Sequence, residues 1–218
     1  MIHPIPRSLA APERVLVANA EYATSKRVFD LLVCLLALPI LLPLACFIAL
    51  AVALSSRGPV FFRQTRTGAE GRKFTMFKFR TMVQNASQLK SQLAADAATD
   101  GPDFKMLNDP RVTRVGALLR KTSLDELPQL WNVVRGDMSL VGPRPTSFGS
   151  ETYTLWQTER LEVKPGLTGL WQIEKRGDLD FDERVRLDIA YLRNRSLRLD
   201  LWILLRTVPA VLEQRGAY

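Results

Sequence analysis

From Val28 to Leu54 the chain reads VFDLLVCLLALPILLPLACFIALAVAL, an apolar run whose one charge, Asp30, lies near its start. A helix of roughly 20 residues crosses the hydrocarbon core of a bilayer, so the run is long enough to belong in lipid. A secretory signal would have an apolar core of roughly 7 to 15 residues and then a small-residue cleavage site. Ser55-Ser56-Arg57-Gly58-Pro59 comes next here instead. Arg14, Lys26 and Arg27 precede the run and Arg57, Arg63 and Arg66 succeed it, and the positive-inside bias draws both ends toward the cytoplasmic face. Pro39 and Pro43 each remove a helix hydrogen bond and press a ring against the carbonyl four residues back, which predicts a kink near the middle. Two geometries satisfy the pattern: a bent helix that enters one leaflet and returns to the same face, and a kinked transmembrane helix anchored by its cations. Lys26 and Arg27 lie four and three residues before Asp30, close enough on a helix to pair with it at the headgroup level.

Beyond Gly58-Pro59 the periodicity shortens. Val60 to Gln64 reads as a strand, Thr67 to Gly71 as a polar turn, and Lys73 to Met82 as a second strand. Alternation places Phe74, Met76, Lys78 and Arg80 on one face, with Thr75, Phe77 and Phe79 on the other. The two cations at that strand's end suit either a phosphate site or a solvated edge. Ala86 to Ala98 reads as an exposed helix, and Gly101-Pro102 and Asn108-Asp109-Pro110 punctuate the stretch after it. Pro165-Gly166 predicts a type II turn, with Leu167 to Ile173 extended and Trp171 packed in the core. The C-terminal stretches from Asp182 through Tyr191 and from Leu197 to Leu212 are amphipathic, and suit a membrane surface or a buried core. The pattern predicts an α+β, mostly helical chain in three parts: a leader over 1–25, a Pro-kinked membrane element over 26–56, and a domain over 57–218.

A chain of 218 residues holds one compact domain plus such an element. The net charge of +8 points to an anionic partner, without choosing among nucleic acid, phospholipid and phosphorylated substrate. Cys34 and Cys46 both lie inside the apolar run, which fits a reduced, cytosol-facing protein rather than a disulfide framework. His3 is the sole histidine, so His-based zinc sites, Ser-His-Asp triads and Cys-His dyads are excluded. Catalysis must use Asp, Glu, Lys, Arg, Ser or Tyr.

Among these, Asp125 and Glu126 are adjacent. Ser123-Leu124-Asp125-Glu126 matches a capping box, in which Ser123 caps a helix and Glu126 reaches back to its amide. Pro128 would then be the fifth helical residue, where its missing N–H forfeits a bond. A helix that starts nearer Asp125 puts the proline in the first turn and frees Glu126. Arg111, Arg114, Arg120 and Lys121 precede the pair, and Arg135 and Arg144 lie beyond it. Carboxylates able to hold a divalent cation in so basic a setting suit a diphosphate substrate. Arg144 stands between Pro143 and Pro145, either as a stiff surface turn or as a guanidinium held for phosphate at reduced entropic cost.

The ordered motifs KRVFD (Lys26 to Asp30), GPVFFRQ (Gly58 to Gln64), KFRTM (Lys78 to Met82), DPRVTRVG (Asp109 to Gly116), SLDELPQLWNVVRGDMSLVGPRP (Ser123 to Pro145) and VKPGLTGLWQ (Val163 to Gln172) resemble the bacterial monotopic phosphoglycosyl transferases, or polyprenyl glycosylphosphotransferases. The resemblance covers nearly everything from Lys26 onward and implies a small catalytic domain at the cytoplasmic face of the bacterial inner membrane. It implies a UDP-sugar donor, an undecaprenyl phosphate acceptor, Mg²⁺, release of UMP, and exopolysaccharide or related glycoconjugate synthesis. Asp125 matches the nucleophile that carries a covalent phosphosugar and the residue that meets the metal, and Glu126 matches its partner. Lys78, Arg80, Arg120 and Arg144 match basic positions and are the expected phosphate contacts. Membrane lipids are expected partners, nucleic acid is not, and the amphipathic C-terminal helix leaves a homodimer open. The family's re-entrant helix usually bends at Ser-Pro, where this chain has Leu42-Pro43. Residues before Lys26 match no family motif, which implies a minimal version without a large N-terminal membrane domain. The competing class is a basic, membrane-anchored module that binds anionic lipid or nucleic acid without catalysis.

Overall fold

A computed structural model describes residues 20–86, 88–89, 109–174 and 180–212. The expected leader up to residue 19, most of the helix expected over 86–98 and the turn at Gly101-Pro102 lie outside the described residues. The architecture is mostly helical, with a few short strands and one long apolar N-terminal helix.

That helix, α1 (Ala20–Ser55), runs through both prolines as one 36-residue element, so the expected kink does not divide it. Its length and composition suffice to cross a membrane. Leu35, Leu36, Ile40, Leu42 and Phe47 in its middle are strongly exposed. Both of its ends, by contrast, are bound to the domain. At the N-terminal end the Lys26 ammonium lies 2.9 Å from Asp30 and 3.3 Å from Asp200. Asp30 also accepts from Ser139 at 2.7 Å, and Asp200 accepts from the Tyr22 and Tyr191 hydroxyls at 3.0 and 2.7 Å. Burial, with the Asp200 carboxylate beside it, pushes the Tyr191 phenol well above its ordinary range, so it stays a donor. Arg27 donates to the carbonyls of Val133 and Val134 at 2.5 and 2.7 Å. The Lys26–Asp30 pair therefore forms as its spacing requires, but inside protein rather than among headgroups. At the other end, Ile48 and Val52 pack with Phe79 and Leu119.

Strands β1 (Phe61–Thr67) and β2 (Lys73–Phe79) form an antiparallel hairpin, with Phe61 opposite Phe79 and Thr67 opposite Lys73. Its turn uses left-handed backbone at Glu70 and Gly71. β2 stops three residues short of the expected Met82, although the Arg80 amide still donates to the Val60 carbonyl at 2.9 Å. Helix α2 (Arg114–Lys121) packs directly on the chain leaving β2: Thr113 donates its amide to the Thr81 carbonyl at 3.0 Å and caps Gly116 at 2.9 Å. A Cβ on Gly116 would lie 2.0 Å from the Thr81 oxygen, so only glycine permits this approach.

Helix α3 (Gln129–Arg135) ends at Gly136 in the left-handed region. β3 (Ser139–Val141) then pairs in parallel with β4 (Gly166–Thr168). The segment expected to stay extended to Ile173 turns into helix α4 (Leu170–Glu174), which carries Trp171. Just before it the chain passes close to Gly142: a Cβ on Gly169 would meet the Gly142 oxygen at 2.5 Å. α5 (Phe181–Asn194) starts at Asp180, which accepts from the Glu183 amide at 2.7 Å. α6 (Leu197–Leu212) buries Asp200, Ile203 and Ala210 and exposes Leu201, Trp202, Leu205 and Val208. One stripe of the helix is thus core, and the other is exposed apolar surface. Met76, Val133, Met138, Leu140, Val141, Tyr191 and Ile203 form the larger core cluster.

Candidate active site

Between α2 and α3 the chain makes a single 3₁₀ turn over Leu124–Glu126. Ser123 is left-handed, with φ 55°, and its side chain makes no cap hydrogen bond. Pro128, which has no N–H to give, sits at the N-cap of α3. The capping box therefore does not form, and Glu126 is released for other partners.

Two cations from different parts of the chain converge on Glu126. Its Oε1 accepts from Lys78 Nζ of β2 at 2.8 Å and from Arg144 Nη2 at 2.6 Å, while Oε2 accepts from Arg144 Nη1 at 3.3 Å. Burial pushes the Glu126 carboxyl up, but the Arg144 guanidinium and Lys78 ammonium outweigh it and hold the group well below the usual carboxylate range. Glu126 is thus a fixed anion that locks two cations in place. The same anion raises the Arg144 pKa.

Asp125 differs from its neighbour in both respects. Its carboxylate is buried, and among the described residues no donor hydrogen-bonds it. Burial pushes its pKa up and the Glu126 charge adds to this, while Lys78, Arg144 and Arg120 pull it down. One acid of the pair is therefore satisfied and the other is open, with three cations within electrostatic reach. An open, desolvated carboxylate among cations can attack a phosphorus centre whose developing negative charge those cations receive.

Of the residues singled out by sequence, Asp125, Glu126, Lys78 and Arg144 meet. Arg120 joins them through its charge, and its Nε donates to Thr81 Oγ1 at 3.0 Å. Arg80 does not join them. Its Nη2 donates to the carbonyls of Val52 and Ser56 at 3.2 and 2.6 Å, and its Nη1 to that of Pro59. It closes the C-terminal end of α1, whose last carbonyls take up its guanidinium. Arg111, read as part of the basic surroundings, forks onto Asp109 at 2.8 and 2.5 Å.

Among the described residues no cluster of three or more His, Cys, Asp or Glu is placed around a metal position. Both Glu126 oxygens are occupied by cations, so Asp125 is the carboxylate left to meet an ion. One open carboxylate fits Mg²⁺, which keeps several waters and takes its remaining oxygens from substrate phosphates.

The sequence pattern gave no role to Arg160 and Asp188. The Arg160 guanidinium pairs with Asp188 at 2.6 Å and donates to the Arg144 carbonyl at 2.8 Å. A signal for Asp188 existed: it falls on the apolar stripe of α5 with Val185 and Ile189, where a lone acid requires a partner. No comparable periodicity marks Arg160.

The profile of the bacterial sugar transferase family matches residues 21–214. The UDP-galactose-lipid carrier transferase of Erwinia amylovora is 45% identical over 199 residues, which are 88% of this chain and 41% of that protein. The exopolysaccharide production protein ExoY of Rhizobium meliloti is 44% identical over 212 residues, covering 95% of this chain and 94% of its own length. The UDP-glucose:undecaprenyl-phosphate glucose-1-phosphate transferase of Caulobacter vibrioides is 43% identical over 204 residues, covering 88% and 72%. The chain thus spans 41% of the first of these proteins and nearly all of the second. With a profile match along almost all of its length and relatives 43–45% identical, the chain belongs to the bacterial sugar transferase family.

Proposed function

We propose that this chain moves a sugar-1-phosphate from a UDP-sugar to undecaprenyl phosphate through a phosphosugar carried on Asp125. The observation that carries the reading is the asymmetry of the acidic pair: Glu126 is fixed by Lys78 and Arg144, and Asp125 is buried, open and adjacent. In the first step an Asp125 oxygen bonds to the sugar-proximal phosphorus of the donor. The bond from that phosphorus to the bridging oxygen breaks, and UMP leaves with the oxygen and its electron pair. In the second, an oxygen of the lipid phosphate attacks the same phosphorus, the acyl phosphate breaks, and the Asp125 carboxylate is restored. Splitting the displacement lets the two substrates use the site in turn.

Lys78 and Arg144 neutralise the diphosphate while Glu126 holds them in position, and Arg120 approaches from the α2 side. Glu126 serves orientation rather than proton transfer, because a carboxylate held so firmly as an anion is a poor base. Asp125 would hold Mg²⁺, which would supply further charge neutralisation. Relatives named for galactose and glucose transfer support a hexose donor.

Membranes containing the protein, given undecaprenyl phosphate and a panel of UDP-sugars, are expected to release UMP, fastest with UDP-glucose or UDP-galactose. Absence of UMP with every donor would overturn the proposal. Salt-sensitive binding without turnover would favour the basic recruiting module instead.

The exposed middle of α1 supports immersion in lipid, and attachment of both its ends to the same domain supports entry into one leaflet from the cytoplasmic face. A helix that crossed the bilayer would carry its two ends to opposite surfaces, beyond the reach of one domain. Single cysteines at Thr24 and Gln84, in a background lacking Cys34 and Cys46, are expected to react with an impermeant reagent from the cytoplasmic side. Labelling from opposite sides would overturn this topology.

A further inference from the structure

We propose that the buried Arg160–Asp188 pair is a positioning device for Arg144, fixing the backbone of the Pro143-Arg144-Pro145 turn so that the Arg144 guanidinium reaches Glu126 and the donor diphosphate. The role rests on the transferase reading above and extends it to two residues outside the family motifs quoted for the site.

The Arg160 and Asp188 side chains are 4% and 1% exposed, deeper than any other ion pair around the site. Arg160 Nη2 lies between two acceptors, Asp188 Oδ2 at 2.6 Å and the Arg144 carbonyl at 2.8 Å. Its Nη1 donates to the Tyr153 hydroxyl at 3.4 Å, and the guanidinium carbon sits 6.0 and 5.9 Å from the ring centres of Tyr153 and Phe181. Asp188 thus aims a planar guanidinium, flanked by two neighbouring rings, at one backbone oxygen. A lysine ammonium cannot reproduce that arrangement.

The turn depends on such outside support. Proline removes two of its three amide donors, at 143 and 145, so it must be secured mainly through its carbonyls. The Pro143 carbonyl accepts from the Gly166 amide at 2.8 Å and the Thr146 carbonyl from the Thr67 amide at 3.0 Å. Between these two backbone anchors, the carbonyl of Arg144 itself is held by the Arg160 side chain. The Arg144 side chain is 33% exposed and is held at its tip by Glu126, so the backbone sets the point from which it reaches that partner. Removing a pair this deeply buried in favour of apolar packing is often neutral or stabilising, so stability alone gives little reason to keep it. Holding the Arg144 carbonyl supplies one.

The test is a double-mutant cycle in membranes, with UMP release as the rate and thermal unfolding measured on the same samples. Asp188→Asn alone is expected to lower kcat/KM about tenfold, mostly by raising KM for the UDP-sugar. In an Arg144→Lys background the same change is expected to alter kcat/KM less than about twofold, because the group it positions is already gone. The melting temperature should fall equally in both backgrounds. Equal fractional losses of kcat/KM in both backgrounds would overturn the positioning role and leave a purely structural pair. If Asp188→Asn fails to fold, Arg160→Lys, which keeps the charge but loses the fork, is taken through the same cycle with the same two outcomes. A wild-type protein that turns over no UDP-sugar overturns the transferase reading, and this role with it, whereas an active wild type with additive variants overturns this role alone.

Discussion

Changing Asp125 to Asn is expected to abolish UMP release, with a loss on the order of 10⁴-fold or more, as when the nucleophile of a covalent mechanism is removed. The prediction is sharp because the substitution is nearly silent elsewhere. Asn preserves the volume, and among the described residues no donor hydrogen-bonds the Asp125 carboxylate, so no native bond is broken. Stability should stay within about 0.5 kcal/mol of wild type. A donor carrying ³²P in its sugar-proximal phosphate should label the wild-type protein when acceptor is withheld, and undecaprenyl phosphate should discharge that label. The Asn variant should take up none. Retained turnover or retained label in this variant would remove Asp125 from the mechanism.

The second large effect lies far from the chemistry. Lys26→Met is expected to destabilise the protein by about 3–5 kcal/mol, because it leaves Asp30 and Asp200 buried without their shared cation. Such a loss is a large part of the roughly 5–15 kcal/mol that holds a typical domain together. Denaturant unfolding in detergent reads it directly, and activity should fall through loss of folded protein, with KM of the surviving fraction unchanged. A variant within about 1 kcal/mol of wild type would show that Tyr22, Tyr191 and Ser139 satisfy the two acids unaided. Lys26→Arg, which keeps the charge but not the compact geometry, should fall between the two.

The membrane helix was legible in the sequence because composition alone decides it, and the hairpin because two apolar-rich stretches flank the polar turn at Thr67 to Gly71. The acidic pair shows where such legibility ends. Ser123 to Glu126 has the residue types of a cap, and only the left-handed backbone at Ser123, with Pro128 behind it, shows that no cap forms. Pro128 was the legible half of that outcome. The partners of Arg80 were not legible, since alternation along β2 carries no information on the α1 carbonyls that take up its guanidinium. The Arg160–Asp188–Arg144 chain was hidden for another reason: its members are far apart in sequence, and only the packing of α5 on the segment after Thr154 brings them together.

The engagement of Arg80 carries a mechanical corollary. Its guanidinium grips the last carbonyls of the lipid-facing helix, while its backbone continues, two residues back, into the strand bearing Lys78. The end of the helix and the strand that bears Lys78 are thereby joined through a single side chain, so a shift of that helix end is passed directly to the strand.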